Sequence, residues 1–137
     1  MWIVYALLGA FFAAVTAILA KIGLKGVDAN LATAIRTVVV LVMSWLIVWI
    51  AGKAGDIPHI TQKSWIFLIL SGVATGLSWL FYFQALQTGP ASQVIPIDKL
   101  SLVIGIVLAF VILREAVDVK TVLGGILITA GTFVMIL

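Results

Sequence analysis

Four side chains carry charge into stretches that are otherwise apolar: Lys21, Arg36, Asp98 and Lys99. Charge at such depth is costly and marks a functional site by default. Asp98 is the only carboxylate so placed, and hence the only candidate for a proton-coupling group. An ion pair with one of the cations is the other role open to it, since pairing lowers the cost of both. Asp98 and Lys99 are adjacent, so their side chains leave a helix about 100° apart. Lys21 and Arg36 suit either a binding site or snorkelling, in which the long stem lets the charged head reach the interface. Trp79, Tyr82 and Gln84 are large and amphipathic, and such side chains line cavities as readily as they fill helix contacts. Pro96, within a turn of Asp98, can break the backbone ladder and free carbonyls. Pro90 reads as a helix start.

Nothing else in the chain carries chemistry. His59 is the only histidine, sits beside Pro58 and has no metal-ligand spacing. With no cysteine there is no disulfide framework or thiolate site. No triad, zinc motif or phosphate loop is present, so the sequence predicts no enzyme, no metal and no cofactor.

The elements that position these residues follow from composition. Of 137 residues, 64% are hydrophobic and 9% charged, and the mean hydropathy is +1.33. A soluble domain is about half apolar and a quarter charged, and a small one leaves much of its surface in contact with solvent. That solvent must be lipid. Soluble enzymes, nucleic-acid binders and disulfide-stapled domains are excluded together. A net charge of +3 is scattered, with no basic patch.

A spanning helix needs about 20 apolar residues. Five such runs are predicted as transmembrane helices, at about residues 2–22, 31–51, 64–86, 92–113 and 119–137. The first lacks the basic start of a signal peptide. Each run is apolar all round, unlike the alternating strands of a barrel. Trp2, Trp49 and Trp65 flank spans, as interfacial tryptophans do. The longest polar break, Gly52 to Lys63, is too short for a domain, so the function belongs within the bilayer. Lys21, Arg36, Asp98 and Lys99 then lie near one membrane face.

Loop cations number four on the N-terminal side (Lys53, Lys63, Arg114, Lys120) and two on the other (Lys21, Lys25). The positive-inside rule places the N-terminus in the cytoplasm. The bias is weak enough for insertion in both orientations. Small and polar stripes, such as Gly72 with Gly76, Gly105 with Ala109, and Gly124, Gly125 and Gly131, read as helix-packing surfaces.

Three segments carry a family resemblance: AKIGLKGVDANLATAIRTVVV, YFQALQTGPASQVIPIDKLS and FVILREAVDVKTVLGGILITAGTFVMIL. In this order the chain resembles the EamA domain of the drug/metabolite transporter superfamily, in its single-domain, five-helix form. The resemblance implies an all-α membrane protein that is one half of an inverted-repeat transporter. Its implied place is a prokaryotic cytoplasmic (inner) membrane. It further implies a secondary transporter, an exporter, of small polar or amphipathic metabolites, with Trp79, Tyr82, Gln84, Lys21, Arg36, Asp98 and Lys99 lining the path. The related small multidrug resistance branch uses a glutamate in its first helix; this first helix has no carboxylate, so that mechanism does not carry over. Inverted-repeat carriers hold their site between two halves, and a five-helix unit takes its second half from another chain. The expectation is an antiparallel homodimer. The alternative is a non-carrier subunit, or a lipid-linked-sugar flippase component, paired with a different five-helix protein.

Overall fold

A computed structural model describes all 137 residues, Met1–Leu137. Every regular element is helical. Five helical spans are long and apolar enough to cross a membrane: Trp2–Gly23 (α1), Ala29–Ile50 (α2), Gln62–Thr88 (α3), Ala91–Leu113 and Val119–Ile136 (α6). The fourth span is composite. It comprises α4 (Ala91–Asp98), α5 (Leu100–Leu108) and a π-helical turn, Ala109–Leu113. Each end lies within two residues of the apolar run that predicted it. A short 3-10 helix, Ala54–His59, occupies the longest polar break.

Helices are the form that satisfies backbone polar groups inside lipid, and the chain fixes their ends with polar side chains and glycine. Asp28 caps α2, its Oδ1 accepting from the Asn30 and Leu31 N–H groups at 2.9 and 3.1 Å. At the other end of α2, the Lys53 N–H donates to the Val48 carbonyl and the Gly52 N–H to the Trp49 carbonyl, both at 3.1 Å. This is a Schellman closure, which requires the left-handed backbone that Gly52 adopts at φ 68°. Thr61 precedes α3 and accepts from the Ser64 N–H at 3.2 Å. Asp118 caps α6, accepting from the N–H and the hydroxyl of Thr121 at 2.7 and 2.9 Å. Those bonds, the Thr121 N–H foremost, hold its carboxyl below the ordinary 3.8.

The helix of the fourth span is interrupted at Lys99, three residues beyond Pro96. Pro96 lies inside α4 and has no N–H to give the preceding turn. The ladder tightens three residues later. The Lys99 N–H is shared between the carbonyls of Ile95 (3.3 Å) and Pro96 (3.1 Å), and the Leu102 N–H bonds the Lys99 carbonyl at 3.0 Å. Where the π turn ends, Arg114 is the one non-glycine residue at positive φ (φ 55°, ψ 32°). A Cβ in that conformation costs roughly 1–2 kcal/mol.

The residues form two compact units, Leu19–Gln87 and Met1–Ile18 with Thr88–Leu137. In the first, the buried side chains are Leu24, Ala29, Thr33, Phe83 and Leu86. They gather where α1 turns into α2 and where α3 ends. In the second, α4 and α5 pack on α6, burying Val94, Gly125 and Thr132. A groove of about 700 Å³ runs between α5 and α6, lined by residues such as Val103, Ile106, Phe110, Val122, Ile126 and Phe133. Its apolar lining suits lipid chains and offers no chemistry.

The small-residue stripes do not mark close helix crossings inside either unit. A Cβ added at Gly72, Gly76, Gly105, Gly124, Gly125 or Gly131 would meet nothing within 4 Å.

Candidate functional site

The C-terminal half of α3 builds the site. Trp79, Phe83 and Leu86 recur at the i, i+4, i+7 spacing that puts side chains on one helix face. Phe83 and Leu86 are buried and Trp79 is half-buried. Arg36 approaches this face from α2. It is the eighth residue of α2, so it stands about 10 Å along the helix from its start. Its guanidinium carbon lies 4.4 Å from the centroid of the Trp79 ring and 5.1 Å from that of Phe83. The aromatic faces are electron-rich and attract the cation, an interaction worth about 0.5–2 kcal/mol depending on desolvation. Tyr82 sits next to this cradle, its ring centroid 6.2 Å from that of Phe83 and tilted by 41°. Gln84 lies on the same helix and is exposed.

Two further bonds tie the end of α3 to the turn between α1 and α2. The Lys21 ammonium donates to the Leu86 carbonyl. Leu86 is in the last turn of α3, where carbonyls have no partner within the helix. A lysine there satisfies one of them and also complements the negative end of the helix dipole. Gln87 Nε2 donates to the Val27 carbonyl at 2.7 Å. Lys21 thus acts as a cap supplied to α3 from another helix.

Asp98 and Lys99 belong to the second unit and pair with each other. Lys99 Nζ lies 3.4 Å from Asp98 Oδ2, with side chains 54% and 36% exposed. Neighbours on a regular helix diverge, but the break at Lys99 and its long stem bring the charges together. Behind this pair, the Thr132 hydroxyl of α6 donates to the Pro96 carbonyl at 3.3 Å, just ahead of the tightened turn. Five other hydroxyls in the spans serve their own helices. Thr33, Thr37, Ser44, Thr75 and Thr129 each donate to the carbonyl four residues earlier, at 2.7 to 2.9 Å. This satisfies polar groups in lipid without crossing between helices.

The charge of the chain is unevenly divided. Leu19–Gln87 holds five Lys and Arg against two Asp, and Thr88–Leu137 holds three against three acids. The two acids of the first unit are both engaged: Asp28 caps α2, and Asp56 pairs with Lys53 at 3.7 Å. No carboxylate comes within ion-pair distance of Arg36. No group of His, Asp or Glu is arranged to hold a metal.

Sequence reasoning missed Gln87, Thr132 and the role of the Leu86 carbonyl. The signal for Gln87 was present, because residues 79, 83 and 87 share the helix face that meets Arg36. Thr132 carried none, since nothing in its own segment points to a broken turn on another helix.

The profile of the EamA-like transporter family matches residues 1–137. A protein of Sinorhizobium sp, described as an uncharacterized transporter in the cobO 3' region, is 42% identical over 134 residues, which cover 98% of this chain and 95% of the relative. No solved structure matches the chain. With five apolar spans and charge held within them, the chain is a multi-pass integral membrane protein and belongs to the EamA-like transporter family.

Proposed function

We propose that residues 1–137 act as one EamA-like transmembrane domain, one half of an inverted-repeat carrier. The cargo is a small polar or amphipathic metabolite, the direction is export, and the second half is another copy of the chain inserted the opposite way. Trp79, Tyr82, Gln84, Lys21, Arg36, Asp98 and Lys99 line the path, and no residue performs catalysis. The observation that carries this reading is the Arg36 guanidinium, kept at membrane depth over Trp79 and Phe83 with no carboxylate beside it. A charge there is costly, and a bundle with no use for it would do better with an apolar side chain.

Alternating access follows from rocking the two copies about a site near the midplane. Asp98 is the coupling group: it exchanges its Lys99 partner for a proton as the site changes sides. Exchange of labelled metabolites into proteoliposomes tests the carrier. Asp98→Asn flattens the pH dependence of that exchange, and an unchanged profile removes the coupling role. The four-to-two excess of loop cations on the N-terminal side supports a second reading. In it the chain inserts one way only and serves as a non-carrier subunit, or as a component of a lipid-linked-sugar flippase, beside a different five-helix protein.

A further inference from the structure

Resting on the reading of Arg36 as part of a carrier path, we infer that Arg36 binds an oxyanion, so that the cargo carries a carboxylate or phosphate group. Three observations lead there. The guanidinium lies against two rings a helical turn apart, Trp79 at 4.4 Å and Phe83 at 5.1 Å. The rings offer the guanidinium no hydrogen-bond acceptor oxygen, no carboxylate lies within ion-pair distance of it, and a guanidinium fork matches the two oxygens of a carboxylate or phosphate. The rings also fix its orientation before a ligand arrives, which lowers the ordering cost of binding.

Second, the charge around it is uncompensated. Leu19–Gln87 contains only two carboxylates, one committed to the cap of α2 and the other to Lys53. The whole excess of positive charge in the chain belongs to this unit, while the Thr88–Leu137 portion balances its own. Third, Lys21 places a second cation on the same turn of α3, at Leu86, three residues from Phe83. Lys21 thus adds a second positive charge to the unit that holds Arg36, whose two carboxylates are both engaged elsewhere. A cationic cargo would meet repulsion at the same place.

The oxyanion can come from a soluble metabolite or from the head group of an anionic lipid, and the test separates them. The full chain, with Trp2, Trp45, Trp49 and Trp65 changed to Phe, leaves Trp79 as the only indole. It is placed in phosphatidylcholine nanodiscs and titrated with sodium phosphate and with sodium benzoate at constant ionic strength, with chloride as the control. The expected result is a saturable change in Trp79 fluorescence that weakens about tenfold or more in Arg36→Gln. Arg36→Lys keeps the charge without the fork and also binds more weakly. Should Arg36→Gln not fold, the lysine variant alone decides. A change that instead follows from adding phosphatidylglycerol to the discs, and that depends on Arg36, also supports the site and assigns its oxyanion to lipid. No response to any of these anions, or a response indifferent to both Arg36 variants, overturns the proposal. Flux of labelled benzoate or phosphate in proteoliposomes reads the carrier function separately. Binding without flux leaves the oxyanion site standing and removes the carrier; flux with no binding through Arg36 does the reverse.

Discussion

The guanidinium of Arg36 on α2 rests over the indole of Trp79 on α3, 4.4 Å from the ring centroid. This contact joins two spans without any ion pair, and it places a permanent charge about 10 Å along α2. Within lipid a cation needs either a counter-charge or a polarisable surface. Here the surface is aromatic.

The contact is measurable as a coupling. Arg36→Gln and Trp79→Leu each lower stability in detergent unfolding, and the double variant loses less than the two together. The expected coupling energy is about 1 kcal/mol. Strict additivity would show that the two residues are neighbours only.

Lys21 is predicted to act on the fold as the cap of α3. Lys21→Met leaves the Leu86 carbonyl without its charged donor and lowers stability by about 2 kcal/mol. Lys21→Arg keeps a donor and recovers most of this. Gln87→Leu, which removes a neutral bond to Val27, costs about 1 kcal/mol. Thermal unfolding of the three variants beside the parent checks the order.

Asp118 gives the chain an acid-sensitive helix start. Its carboxyl is held below the ordinary 3.8 by the Thr121 N–H and hydroxyl. A group depressed on folding contributes stability above its unfolded value, and that contribution is lost as pH falls through its folded one. The effect is therefore flat across neutral pH and appears only below about the ordinary carboxyl range. Asp118→Asn caps comparably and removes this part of the acid limb. Amide exchange at Thr121, followed against pH in parent and variant, reads it locally.

Much of this was legible in the chain itself, because lipid makes the reading simple. Runs of about 20 apolar residues have one stable form, and Asp28, Gly52 and Asp118 fix where it starts and stops. The same simplicity hides the contacts. In a soluble helix an apolar stripe marks the inward face, but α3 is apolar all round, so only Trp79, Phe83 and Gln87 reveal which side meets α2. That Lys99 is the cation beside Asp98 was hidden for a related reason. Neighbours diverge on an ideal helix, and the break that lets them meet lies at Lys99, three residues beyond the proline that signals it. Lys21 has no local mark of its role, since its partner is a backbone carbonyl 65 positions away.

An antiparallel carrier requires a second copy of the chain in the opposite orientation. The direct measurement is topology at native expression, with reporters on the C-terminus and in the Gly52 to Lys63 loop. The prediction is that each reporter is found on both sides of the membrane in comparable amounts. A single orientation would contradict the antiparallel homodimer and transfer the search to a different five-helix partner.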